Sequence, residues 1–105
     1  MHARAILGEL QMALRDCTEA LTIKPTYADA LDSRGFVNLK IGQTNSAIAD
    51  YDAALKLNPR QASSLYGRGL AKVKTGKGAD GQRDIAAAKA LQANIADEFA
   101  NLGIR

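Results

Sequence analysis

An all-α solenoid of antiparallel helix pairs is the fold class this chain predicts, on three observations. Pro25 and Pro59 lie 34 residues apart, and each closes a stretch of one design, Ala20-Leu21-Thr22-Ile23-Lys24-Pro25 and Ala54-Leu55-Lys56-Leu57-Asn58-Pro59. The same shift superimposes Gly8, Gly42 and Gly76. Within each unit the apolar residues recur at i, i+3, i+4 and i+7, as in Leu31, Gly35, Leu39 and again in Ala47, Ile48, Tyr51, Ala54, Leu55. Self-similarity at this period marks stacked helical hairpins, and such arrays work by holding other proteins.

Composition agrees with that reading. Of the 105 residues 47% are hydrophobic and only 5% aromatic, with no Trp, so alanine carries much of the apolar share. That mix favours closely packed helices over a sheet. A net charge of +3 aids solubility and is weak evidence for nucleic acid. The nearest thing to a basic cluster, Arg68, Lys72, Lys74 and Lys77, has no interleaved aromatic platform and reads as a solvated helix face. No nucleic-acid partner is expected. Nor is a membrane, because no apolar run is long enough to span one. The single cysteine, Cys17, excludes an internal disulfide.

The elements follow in order. Met1 falls where a first helix should be half finished, so a partial helix to about Leu7, a turn at Gly8 and a helix over 10–23 are predicted. This truncated first repeat covers 1–27. It leaves the apolar face of helix 10–23 short of cover, which points to a fragment or to a second copy over that side. The second repeat, 28–61, predicts helices over 28–41 and 45–57. Gly42 ends the first, and Asn45 or Ser46 is expected to cap the second. The third repeat, 62–95, predicts helices over 62–75 and 79–91, with Ala93 where the closing proline would stand. Aligning 28–61 on 62–95 without a gap pairs Arg34 with Arg68, Gly35 with Gly69, Asp50 with Asp84 and Ala54 with Ala88. Residues 96–105 predict a C-terminal capping helix over 96–102, with Asp97 and Glu98 making its outer face polar.

The run Ala28 to Gly35, then Gly42, Ala47, Tyr51, Ala54-Leu55 and Pro59, resembles the tetratricopeptide repeat family. The third repeat keeps Leu65, Gly69, Gly76 and Ala88, and the first keeps Gly8, Ala13, Ala20 and Pro25. The resemblance covers essentially the whole chain and implies a right-handed superhelix. It departs from the family at Asn38 and Lys72, where an aromatic is common, so a wetter inner contact is expected there. In the repeat itself, Gly35, Gly69, Ala47 and Ala54 should let helices approach closely while Leu31, Leu65 and Tyr51 fill the space around them.

No catalytic set emerges. Gly76-Lys77-Gly78-Ala79-Asp80-Gly81 matches G-x-G-x-x-G, but a dinucleotide site needs a preceding strand, and here a helix precedes. The register makes it a hairpin turn, which Gly78 is expected to loosen relative to Thr44. Cys17 aligns with Tyr51 and Ile85 and is expected as a buried structural thiol. His2, the lone histidine, cannot orient it or anchor a metal site. The carboxylates of Asp50, Asp52, Asp29 and Asp32 read by default as solvated. No cofactor and no enzyme activity are predicted.

The resemblance implies that the first helix of each hairpin lines a concave groove. Its groove positions are Asp29, Asp32, Phe36, Leu39 and Lys40, then Ser63, Tyr66, Leu70, Val73 and Lys74. An apolar centre thus lies between an acidic end at Asp29 and Asp32 and a basic end at Lys40 and Lys74. A protein or peptide segment with apolar anchors suits it, lysines at the acidic end and acids at the basic end. Packing between hairpins is the competing role for these side chains. The set by which some family members clamp acidic chaperone tails is not supported, since Ser33, Ser63 and Gly67 occupy matching positions. The other expectation is self-assembly, with the truncated first hairpin or the C-terminal helix joining copies of the chain.

Overall fold

The computed structural model describes the backbone of residues 2–104 and the side chains of residues 7–104. His2 therefore lies outside the described side chains. Six helices follow one another: α1 (His2–Ile23), α2 (Ala28–Lys40), α3 (Thr44–Leu57), α4 (Ala62–Lys74), α5 (Gly78–Leu91) and α6 (Ile95–Asn101). Each packs on the next from α1 to α5, and α2 also lies beside α4, so successive hairpins stack as a solenoid does. Helices of 13 or 14 residues are marginal alone in water, and burial of one face against neighbours stabilises them.

The hairpin turns share one geometry. Gly42 and Gly76 have φ of 85° and 83°, the left-handed region a side chain disfavours. Gly42 N–H donates to Leu39 O at 3.3 Å and Gln43 N–H to Asn38 O at 2.8 Å, the paired bonds of a Schellman ending. Gly76 and Lys77 repeat both bonds, at 3.3 Å to Val73 O and 2.9 Å to Lys72 O, so Gly78 does not loosen this turn. Between hairpins, Tyr27 N–H donates to Lys24 O and Gln61 N–H to Asn58 O, placing each proline second in a tight turn. Ile95 N–H makes the same bond to Gln92 O at 3.2 Å, so Ala93 closes the third turn without a proline.

Three expectations are corrected. Helix α1 runs unbroken through Gly8, where a turn was expected. A Cβ at Gly8 would meet nothing within 4 Å, so no packed neighbour forces a turn. Neither Asn45 nor Ser46 caps α3; the helix begins at Thr44 after Gln43, with no side-chain cap bond, because the Schellman turn already sets the chain's path. Cys17 is only half-buried, since it borders the open spaces between α1 and α2 instead of packing closed as Tyr51 does.

The two complete hairpins close differently. In α2–α3, Tyr51 is fully buried, and a Cβ at Gly35 would lie 2.9 Å from its Cε1. A Cβ at Gly67 on α4 would collide with the same ring, so Tyr51 sits in a notch formed by two glycines. In α4–α5, a Cβ at Gly69 would lie 2.7 Å from Gly81 O, and one at Gly81 2.6 Å from Gly69 O. There backbone meets backbone.

Candidate functional site

Two arginine clamps organise the polar layer behind the inner helices. Arg34 donates from Nε and Nη2 to Asp50 at 2.9 and 2.7 Å, and from Nη1 to Thr18 Oγ1 at 3.4 Å. One repeat later Arg68 donates to Asp84 at 2.8 and 2.9 Å and to Asp52 at 2.9 Å. Bidentate pairing of this kind gives fixed geometry as well as attraction. Burial pushes the Asp84 carboxyl up, but hydrogen bonds from Arg68 and Lys72 outweigh it and hold it below the usual carboxylate range.

Several sequence readings change here. Asp50 is buried and paired, not solvated, and Asp52 is paired with Arg68. Arg68 and Lys72 both bind Asp84, so they are not a free basic face. Asn38 is 6% exposed and donates to Asp50 at 3.0 Å, so the contact expected to be wetter is polar but dry. The clamps were missed although Arg34/Arg68 and Asp50/Asp84 recur at the repeat spacing. Spacing marks equivalent positions but not which charges face each other.

The concave positions fall into two groups. Helix α6 packs on α4 and α5, as a cap does, and also crosses the inner face to reach α2. Its Phe99, 3% exposed, meets Tyr66 edge-on at 4.7 Å between ring centroids and Phe36 at 5.7 Å. Leu39 is buried in the same cluster with Ile95 and Ile104, and Leu70 packs against it. Gly103, at φ 91°, turns the chain so that Ile104 N–H donates to Phe99 O at 2.9 Å. Lys40 donates from Nζ to Leu102 O at 2.9 Å and sits 5.7 Å from the Phe36 ring. A cation there complements the carbonyl end of α6. Phe36, Leu39, Lys40, Tyr66 and Leu70 are thus gathered around α6.

The others stand apart from it. Val73 is 41% exposed, Lys74 is exposed at the far end of α4, and Asp29 is exposed at the start of α2. Asp32 is half-buried and accepts the Ser64 hydroxyl at 2.7 Å. Burial pushes its carboxyl above the ordinary carboxylate range, against the pull of the Ser64 and Ser63 hydroxyls. Asp32 and Ser63 line a cavity of about 320 Å³ bounded by α1, α2, α3, α4 and α6. Among the described residues no group of His, Cys, Asp and Glu is placed to hold a metal ion, and no helix is long and apolar enough to cross a membrane.

Comparison with known proteins agrees with this architecture. Residues 39–76, from the end of α2 to the turn after α4, match the family model for the TPR repeat. The fold is similar to the crystal structure of MamA, with a TM-score of 0.74 at 23% identity. That likeness covers 91% of this chain and 56% of the other, so this chain spans little more than half of that protein's length. At such identity the likeness concerns fold alone. Among curated proteins, none matches the chain in sequence.

Proposed function

From the premise that the chain carries the tetratricopeptide repeat, we propose that it is a non-catalytic interaction module whose inner face receives a segment of a partner protein. Proteins built from this repeat generally mediate protein–protein interaction, and stacked hairpins present an extended concave surface for it. The observation that carries the reading is α6 itself. The inner face holds a short amphipathic helix by one aromatic anchor, Phe99, between Phe36 and Tyr66. The proposed contact set is Asp29, Asp32, Phe36, Leu39, Lys40, Tyr66, Leu70, Val73 and Lys74. Of these, Asp29, Asp32, Val73 and Lys74 remain for a partner beside α6.

The test uses exposed inner positions, with a melting control for Val73 because its Cγ2 also meets Gly81 of α5. Val73→Glu and Asp29→Lys should each reduce partner capture from host extract at least about tenfold, while Ala86→Glu, exposed on α5, should not. Equal capture by all three variants would remove the inner face as the site.

A second reading, self-assembly, is favoured by α1, where Met12 is 64% exposed and Leu7 46%. A second copy covering that side would make the chain dimeric, and Met12→Glu would return it to a monomer. Light scattering that finds a monomer at millimolar concentration sinks this reading.

A further inference from the structure

Among the buried and half-buried carboxylates, Asp32 is the exception. Asp50 is held by Arg34, and Asp84 and Asp52 by Arg68. Asp32 has no cationic partner among the described residues, only hydroxyls, that of Ser64 on one oxygen at 2.7 Å and that of Ser63 beside it. A partly desolvated carboxylate without a counter-charge is costly, and native structures seldom leave one so.

The cavity beside it is walled in part by Tyr51, which is fully buried; its hydroxyl, sealed against Gly67, has no hydrogen-bond partner among the described residues. The remaining walls are mostly apolar, with Phe36 and Val37 from α2 and Phe99 and Leu102 from α6, while Glu98 stands at the rim. The space, about 320 Å³, is larger than one side chain needs.

We propose that this cavity receives a lysine side chain of the partner segment, its aliphatic stem along Phe36, Val37 and Phe99 and its ammonium at Asp32 and Glu98. The occupant needs an apolar stem several carbons long, a positive charge, and donors for one carboxylate oxygen. A lysine supplies all three. Arginine fits less well, because its fork is matched to two free carboxylate oxygens and Asp32 Oδ1 is already engaged by Ser64. The proposal rests on the interaction-module reading and supplies the charge that the partner segment must carry.

The full chain is titrated with n-pentylammonium chloride, a lysine side-chain mimic, and separately with 1-pentanol, while backbone amide NMR shifts are followed. The ammonium should shift the amides of Asp32, Ser33, Ser63 and Phe99 saturably and bind about tenfold tighter than the alcohol, as a charge-assisted hydrogen bond does. Asp32→Asn should erase that ratio, and Glu98→Gln, at the exposed rim, should reduce it only about twofold. Equal binding of the two probes, or a ratio that survives Asp32→Asn, overturns the proposal. Its failure is separable from that of the module reading. An ammonium preference without capture through the inner face fails the module alone. Capture that depends on Val73 without an ammonium preference fails the lysine site alone.

Discussion

The α2–α3 and α4–α5 hairpins share one register and close by opposite means. Residue for residue, Ala47 and Tyr51 of the first correspond to Gly81 and Ile85 of the second. With alanine at the crossing, the first pair leaves room for an aromatic ring, which Gly35 and Gly67 accommodate. With glycine there, the second pair brings Gly69 and Gly81 into backbone contact and needs only an isoleucine beside them. Both residues are smaller in the second hairpin, and the crossing stays packed because backbone closes on backbone, not because volume is made up elsewhere.

The largest expected effect comes from removing the ring. Tyr51→Ala should destabilise the chain by about 3–5 kcal/mol, through lost burial and the cavity left between α2 and α4. Ile85→Ala, at the half-buried equivalent, should cost about half as much. Urea unfolding of the two variants checks the order, and equal losses would mean that the hairpins close alike.

Adding a methyl comes next. Gly81→Ala sets a Cβ against Gly69 O, where backbone cannot give way as a flexible side chain can, and should cost about 1–3 kcal/mol. Gly8→Ala, in open space within α1, should instead stabilise by roughly 0.5–1 kcal/mol. Thermal melting of the pair gives opposite signs if both glycines are as placed.

Charge separates the hairpins again. Arg34→Ala leaves Asp50 with Asn38 alone, whereas Arg68→Ala leaves Asp84 with Lys72. The first should cost about 1–2 kcal/mol and the second less, both reduced from fully buried values because the arginines are partly exposed. Chemical denaturation at low and high salt measures the difference.

The smallest effect is the pH response. Asp84 titrates below its unfolded value, so its contribution is present above the ordinary aspartate range and is lost as pH falls through the folded value. Asp32 titrates above its unfolded value, so the folded state binds the extra proton and gains stability as pH falls through that raised value. On acidification the melting midpoint should therefore rise slightly before it falls. Asp32→Asn should remove the rise, and a monotonic profile for the unmodified chain would contradict the placement of Asp32.

Much of this was legible in the chain. The four hairpin helices from Ala28 onward end within a residue or two of their expected limits, because Gly42, Gly76 and the prolines act through local backbone geometry. Phe36, Tyr66 and Leu70 were legible as apolar members of one face for the same reason. Gly8 was misread since a glycine permits a turn without requiring one. The clamps, the notch around Tyr51 and the isolation of Asp32 depend on neighbours 12 to 32 residues away, which spacing does not pair.

By itself, the amino-acid sequence determined the helices, their turns and the repeat, since these follow from periodicity and from the backbone freedom of single residues. Tertiary structure alone decided that α6 lies across the inner face, that Arg34 and Arg68 neutralise the acids behind it, and that Asp32 is left beside an apolar cavity. Those outcomes are set by which side chains meet in space, and burial assigns each charge its cost only after they have met.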